Sequence, residues 1–263
     1  MCRMMATVGT APGWDVFQQF RDLAADGAVL PGDSPGHGDG WGLAGLAHGS
    51  LVFLEKSEKS AIEDAQGYNT AVRGLIERSL TATLAHLRKA SVGTVTRENA
   101  HPFAQGNIAF CHNGGVRQSQ ELDVFGLEPT GQTDSERFFL NILGRVKSGE
   151  APTIKDAIIR SVTWIHENLN YTCLNFFLTD GKRLYAYRDY RAVLRPGEES
   201  EPKNFKIYPT YYTLYHSASA GAFSSEPLPR LARDWRLMAN GELVEAQPDG
   251  HTTITYLKGH PAA

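Results

Sequence analysis

Met1-Cys2-Arg3-Met4-Met5 opens the chain, with a cysteine directly behind the initiator methionine. Cysteine is small enough for that methionine to be removed ahead of it. The mature chain would then begin with a thiol and a free α-amine on one residue, a nucleophile and a proton acceptor within reach of each other. Their ordinary pKa values, about 8.5 for a thiol and about 7.7–8.0 for an α-amine, suit proton transfer near neutral pH. The competing reading is a small buried hydrophobe at the start of a terminal strand. Position alone does not choose between them.

Composition narrows the setting. The 263 residues are 41% hydrophobic and 21% charged, with a formal net charge of -3. That is ordinary globular composition, enough to bury a core, and it is read as a single domain over residues 1–263. No basic stripe points to nucleic acid or an anionic membrane. No apolar run is long enough to span a bilayer, and Gly9-Thr10-Ala11-Pro12-Gly13 interrupts any signal-peptide core. Cys2, Cys111 and Cys173 are odd in number and far apart, so neither a disulfide framework nor a metal knuckle is expected. A reducing cytoplasm is the expected compartment.

Periodicity predicts a helix over 14–24, then the glycine-rich loop Pro31-Gly32-Asp33-Ser34-Pro35-Gly36-His37-Gly38-Asp39-Gly40. A hairpin follows, with strands at 41–47 and 51–55 around His48-Gly49-Ser50. Helices are expected at 61–80, 134–147 and 154–168, and strands at 82–87, 107–112, 172–179, 183–188, 211–216, 235–238 and 252–257. Asp180-Gly181 and Asn240-Gly241 mark turns, and 195–203 reads as an exposed loop. Strands, a helix pair, then strands again argue against a doubly wound sheet. They fit an α+β layered fold with helices covering antiparallel sheets.

Four stretches can carry chemistry. Cys2 is the first. In Ala85-His86-Leu87-Arg88-Lys89-Ala90-Ser91, Arg88 leaves a strand; it is either a surface arginine or a bidentate clamp for a carboxylate. In Phe110-Cys111-His112-Asn113-Gly114-Gly115, Asn-Gly is either a hairpin turn or an oxyanion hole made of the Asn113 amide and the Gly114 N–H. Cys111 and His112 are strand neighbours and point to opposite faces, so they cannot pair. Thr133-Asp134-Ser135-Glu136 matches a capping box with Thr133 as N-cap and Glu136 at N3. The cap does not need Asp134, whose carboxylate can face a ligand ammonium. The glycine-rich loop lacks the ending of a phosphate loop and reads as a mobile loop able to line a site, and no histidine pair has zinc spacing. No cofactor or metal is implied.

Taken in order, Cys2, Gly36-His37-Gly38-Asp39-Gly40-Trp41-Gly42, His86-Leu87-Arg88, Asn99-Ala100-His101-Pro102-Phe103, His112-Asn113-Gly114 and Thr133-Asp134-Ser135-Glu136 resemble the class-II glutamine amidotransferases, a branch of the N-terminal nucleophile hydrolases. The motifs lie in the first half of the chain. Ser224-Ser225-Glu226-Pro227-Leu228 resembles a late segment of the small stand-alone members. The resemblance implies a four-layer αββα sandwich, removal of Met1, and attack of Cys2 on the side-chain amide of glutamine. The Cys2 amine would move the protons, and water would hydrolyse the thioester to glutamate. It implies an oxyanion hole from Asn113 and Gly114, Arg88 on the substrate carboxylate and Asp134 on its ammonium. Ser91 falls where the family often has a hydroxyl, and His101 in a loop that borders the site. Where many members have Arg-Gly this chain has Gly36-His37-Gly38-Asp39, leaving a carbonyl such as that of His37 for the ammonium.

Residues 115–263 show no motif of an ammonia-accepting domain. The expected partners are therefore a small-molecule substrate and an ammonia-accepting synthase subunit, with free release of ammonia as the other outcome. A γ-glutamyl amidohydrolase acting on a larger compound uses the same constellation. An amidase for other acyl groups shares Cys2 but has no need of Arg88 with Asp134. A non-catalytic binding domain of the same fold would keep Met1.

Overall fold

The computed structural model describes residues 2–30, 32–191 and 211–257. The expected loop at 195–203 lies outside them. Thirteen strands and four α-helices are formed among the described residues. One antiparallel sheet has seven strands. It runs from β11 (Arg236–Leu237) through β9 (Tyr215–Ser217), β10 (Ala222–Ser224), β1 (Arg3–Val8), β4 (Ala82–Leu87) and β2 (Trp41–Ala47) to β3 (Ser50–Ser57). The other has six, from β13 (Thr252–Tyr256) through β12 (Glu242–Ala246), β8 (Leu184–Arg188), β7 (Tyr171–Thr179) and β6 (Ile108–Val116) to β5 (Phe103–Gln105).

Side-chain alternation builds the layers. Along β1, Met4, Ala6 and Val8 point one way and Met5 the other; along β4, Ala82 and Leu84 oppose Ala85 and Leu87. Met4, Ala6, Leu84 and Ala44 meet Ala109, Cys111 and Phe177 of the second sheet in a core between the sheets. The outer face of the seven-stranded sheet packs on α1 (Trp14–Asp26) and α2 (Ala65–Ile76) through Phe17, Phe20, Tyr68 and Leu75. The outer face of the six-stranded sheet packs on α3 (Asp134–Lys147) and α4 (Ile154–Asn168) through Phe138, Ile142, Ile158 and Val162. The order is helices, sheet, sheet, helices: the α+β four-layer sandwich. Strands buried on both faces lose the polar half of the alternation, which is why β1, β2 and β4 read as nearly continuous apolar runs.

Several expectations match to the residue: β2, β4, α3 and α4. Others shift. The helix expected at 61–80 is only Ala65–Ile76, because Asp64 takes the N-cap position and accepts from Trp41 Nε1 at 3.1 Å, and a tight turn closes on the Leu75 carbonyl. Asn113-Gly114 is not a hairpin turn, since β6 runs on through it to Val116. The expected strand at 211–216 shrinks to Tyr215–Ser217, because Tyr211 and Tyr212 turn in against Cys173. The capping box is half formed: Thr133 Oγ1 accepts from Glu136 N at 3.1 Å, but the Glu136 carboxylate accepts from the N–H groups of Thr130 and Gly131 instead of Thr133.

Candidate functional site

Cys2 stands at the head of β1, the middle strand of its sheet, and Asn113 sits on β6 of the facing sheet. Parity brings them together. Cys2 continues the inward row of Met4 and Ala6, and Asn113 that of Ala109 and Cys111. The two pair reciprocally: Cys2 N donates to Asn113 Oδ1 at 2.9 Å, and Asn113 Nδ2 donates to the Cys2 carbonyl at 2.8 Å. The Asn113 amide has a second hydrogen beyond the one spent on Cys2. His112 faces the other way, with Nδ1 2.9 Å from Ser135 Oγ on α3 and Nε2 3.2 Å from the Cys173 carbonyl oxygen, so Cys111 and His112 are indeed separated.

Cys2 Sγ receives the backbone N–H of Lys89 at 3.3 Å. Burial pushes the thiol pKa up, while the bond from Lys89 and the charges of Arg88 and Arg3 act against it. Arg3 is buried, donates to the Cys2 and Ala28 carbonyls and pairs with Glu226, so the strand that carries the nucleophile is tied to the segments after α1 and after β10. Glu226 belongs to the late segment read as a family feature.

Gly114 follows Asn113 at a register shift that spans Gly114 to Val116. Bulges of this kind next to a site re-aim backbone groups out of the ladder. A Cβ on Gly114 would overlap the Cys173 carbonyl, so glycine is required by the close approach of β7. The same bulge is tied to the next element, because Val116 N donates to Asp134 Oδ2 at 2.7 Å. Asp134 is the first residue of α3 and is buried.

A cleft of about 420 Å³ opens over Cys2 and is bounded by Ser91, Asn113 and Gly114. A small annex leads from it past Arg88, His101 and Asp134. Cys2, Asn113, Gly114, Arg88, Ser91, His101 and Asp134 are thus brought to one place. His37 lines neither the cleft nor its annex; the expectation there concerned its carbonyl, and its ring is fully buried against Gly27. Burial, helped by the Arg3 charge, lowers its pKa to about 3. Arg88 is also more committed than a simple clamp. Its Nη1 and Nη2 donate to the Thr94 and Val92 carbonyls, both at 3.0 Å, and shape the loop that carries Ser91. His101 stacks on His86 with centroids 4.2 Å apart; burial holds both neutral, with His86 lowered to about 3.

Asp33 and Ser34 on the cleft wall belong to the glycine-rich loop read as able to line a site, but sequence reasoning missed Lys89, Arg117, Thr172 and Tyr212. Only the adjacency of Lys89 to Arg88 was a signal for any of them. Asn99 opens the Asn99-Ala100-His101-Pro102-Phe103 stretch. Its Oδ1 accepts from Gln132 N at 2.7 Å and its Nδ2 donates to the Thr94 carbonyl at 3.0 Å, which ties the Arg88 loop to the approach of α3.

Among the described residues no helix is long and apolar enough to cross a membrane. Residues 1–262 match the family model of class-II glutamine amidotransferases. The chain is 26% identical over 231 residues to "Uncharacterized protein MJ1515" of Methanocaldococcus jannaschii, covering 80% of this chain and 61% of that protein. It is 27% identical over 198 residues to "Putative glutamine amidotransferase YafJ" of Escherichia coli, covering 71% and 72%. A solved structure titled as the allosteric regulatory enzyme of purine biosynthesis superposes over 99% of this chain and 50% of its own, with a TM-score of 0.68 at 17% identity, a likeness of fold. The family match runs through every stretch assembled around Cys2, and the chain belongs to the class-II glutamine amidotransferases.

Proposed function

We propose that this chain hydrolyses the side-chain amide of glutamine to glutamate and ammonia through a thioester on Cys2, with residues 1–263 acting as one catalytic domain. The observation that carries the reading is the reciprocal pairing of Cys2 with Asn113 beneath the cleft. It holds the nitrogen that becomes the free amine once Met1 is removed. The same contact sets the Asn113 amide against the main chain of the nucleophile, on the wall of the cleft.

In this reading the Cys2 amine, directly or through one water, takes the thiol proton as Sγ attacks the amide carbon. The oxyanion that forms meets the Asn113 amide and the Gly114 N–H. Donors of this kind typically supply about 3–4 kcal/mol each in the transition state. The intermediate then expels ammonia, which takes its proton from the amine. Water adds to the thioester, glutamate leaves, and the thiol is restored. Asp134 holds the substrate ammonium and Arg88 its carboxylate, with Ser91 and His101 lining the annex. The ammonia goes to a synthase partner or is released.

A second reading is favoured by the size of the cleft. A volume of about 420 Å³ lies within the roughly 300–1,000 Å³ of pockets that enclose drug-sized ligands. A γ-glutamyl compound bearing a larger amine would keep the same head group in the annex and use the outer cleft for the rest.

Intact mass before and after 6-diazo-5-oxo-norleucine tests the proposal. Loss of Met1 and a single adduct on Cys2 are expected. Retention of Met1 with no adduct would refute it in favour of a binding domain. Met1 lost without an adduct would keep the nucleophile and point to another amide.

A further inference from the structure

Three acceptors surround the Lys89 ammonium: the Ser34 carbonyl at 2.6 Å, Ser34 Oγ at 3.3 Å and the Gly36 carbonyl at 3.1 Å. An ammonium has three hydrogens to donate and no lone pair, so this set uses all of them. The backbone N–H of the same residue donates to Cys2 Sγ. Lys89 therefore touches the nucleophile with its main chain and the opposite cleft wall with its side chain. Asp33 and Ser34 form part of that wall.

The two halves of the 32–40 loop are held differently. The far half is zipped to the Arg88 segment by two main-chain bonds and the Asp39 carboxylate. Asp39 N donates to the Arg88 carbonyl at 3.0 Å, Arg88 N to the Gly40 carbonyl at 2.8 Å, and Asp39 Oδ2 accepts from Ala90 N at 2.8 Å. The near half is exposed, is anchored by main chain only at its ends (Asp33 N to the Leu30 carbonyl at 3.0 Å, His37 N to the Ala24 carbonyl at 2.7 Å) and turns at Gly32 and Gly36, with φ of +89° and +85°. Glycine is permissive there and adds no rigidity of its own. The ammonium lies between the carbonyls of residues 34 and 36 and draws this half toward the sulfur. A solvated surface lysine gives no reason for three converging acceptors.

We propose that Lys89 is a positioning residue whose ammonium clamps residues 32–36 as the outer wall of the cleft, and so sets how tightly the amide substrate is held over Cys2. This rests on the reading of the cleft as the site of amide cleavage. Lys89→Met removes the clamp but leaves the backbone N–H on the sulfur. The variant is compared with wild type by amide hydrogen exchange and by steady-state glutamine hydrolysis. Exchange of the Gly32, Asp33, Ser34 and Gly36 amides is expected to quicken about ten-fold, while His37, β1 and β4 keep their protection. KM for glutamine rises about five- to ten-fold, and kcat changes less than about three-fold. Lys89→Arg keeps the charge but spreads its donors in a plane, and falls between the two.

Wild-type exchange and wild-type KM in Lys89→Met would overturn the clamp. So would faster exchange spread evenly over β1 and β4, which reports a general loss of stability. If the wild-type protein neither cleaves glutamine nor takes the diazo-ketone on Cys2, the functional reading fails by itself. The exchange of residues 32–36 still decides whether the clamp exists.

Discussion

At the scale of single residues, the site concentrates on Cys2 and on what holds it. Removing the sulfur in Cys2→Ala should abolish glutamine hydrolysis while leaving the melting temperature near wild type; an active variant would move the nucleophile elsewhere. Asn113→Ala removes a candidate oxyanion donor and the partner of the Cys2 nitrogen together. A fall in kcat of about 10²–10³ is expected, and a loss confined to KM would contradict the role. Asp134→Asn should mainly raise KM, because a neutral amide attracts an ammonium far less. Burial raises the Cys2 thiol pKa, so little thiolate exists at neutral pH without the amine. Alkylation of Cys2 by iodoacetamide in a denaturant-free buffer should therefore keep accelerating beyond about pH 8.5, the ordinary thiol value. A plateau below neutrality would show the opposite shift.

At the scale of elements, the N-terminus of α3 serves stability and site together. Thr133 caps the helix, and the next residue, Asp134, ties the β6 bulge. Thr133→Ala should cost about 1 kcal/mol, seen as a drop in Tm of roughly 2–4 °C for a domain of this size. A loosened first turn should also raise KM, because Asp134 loses its fixed direction. Unchanged Tm and KM would mean that the cap is replaced by water. The bulge has its own constraint. Gly114→Ala drives a methyl into the Cys173 carbonyl, so β6 must part from β7, and the variant is expected to lose activity and much of its Tm. The capping sequence was legible in advance because a cap is local. The destination of the Glu136 carboxylate was not, because Thr130 and Gly131 reach it only through the fold of the preceding loop.

At the scale of the whole molecule, stability comes from three apolar layers and is limited by what is buried with them. Leu84→Ala, in the core between the sheets, should cost about 2–5 kcal/mol in chemical denaturation. A much smaller cost would mean that the sheets close over the gap. Acid should act through the buried histidines. His37 and His86 have folded pKa values lowered to about 3, whereas the unfolded chain takes up protons near pH 6.5. The stability of keeping them neutral is fully present above that pH and is lost as pH falls from about 6.5 toward 3. The slope is up to about 1.4 kcal/mol per pH unit for each residue. His86→Gln should flatten the dependence of Tm on pH in this range, and an unchanged slope would place the acid sensitivity in other groups.

By itself, the sequence determined the local part of the protein. β2, β4, α3 and α4 follow from periodicity and caps, and the order of Cys2, Arg88, Asn113 and Asp134 carries the family, because each is a short-range pattern written in consecutive residues. The tertiary structure decided the rest. Asn113-Gly114 is equally good as a hairpin turn or as a bulged strand until β7 pairs beside it. β10 and β12 are too short to show a period and exist because neighbouring strands supply their hydrogen bonds. The imidazole of His37 sits in a glycine-rich loop that reads as mobile, but the fold buries it, with the backbone N–H held by the Ala24 carbonyl of α1 at 2.7 Å. Lys89 looks like any surface lysine until the chain folds Ser34 and Gly36 back over it. The physical reason is common to these cases. A burial environment or a hydrogen-bond partner tens of residues away is not encoded in a residue's own neighbours, and it is fixed only when two sheets pack face to face.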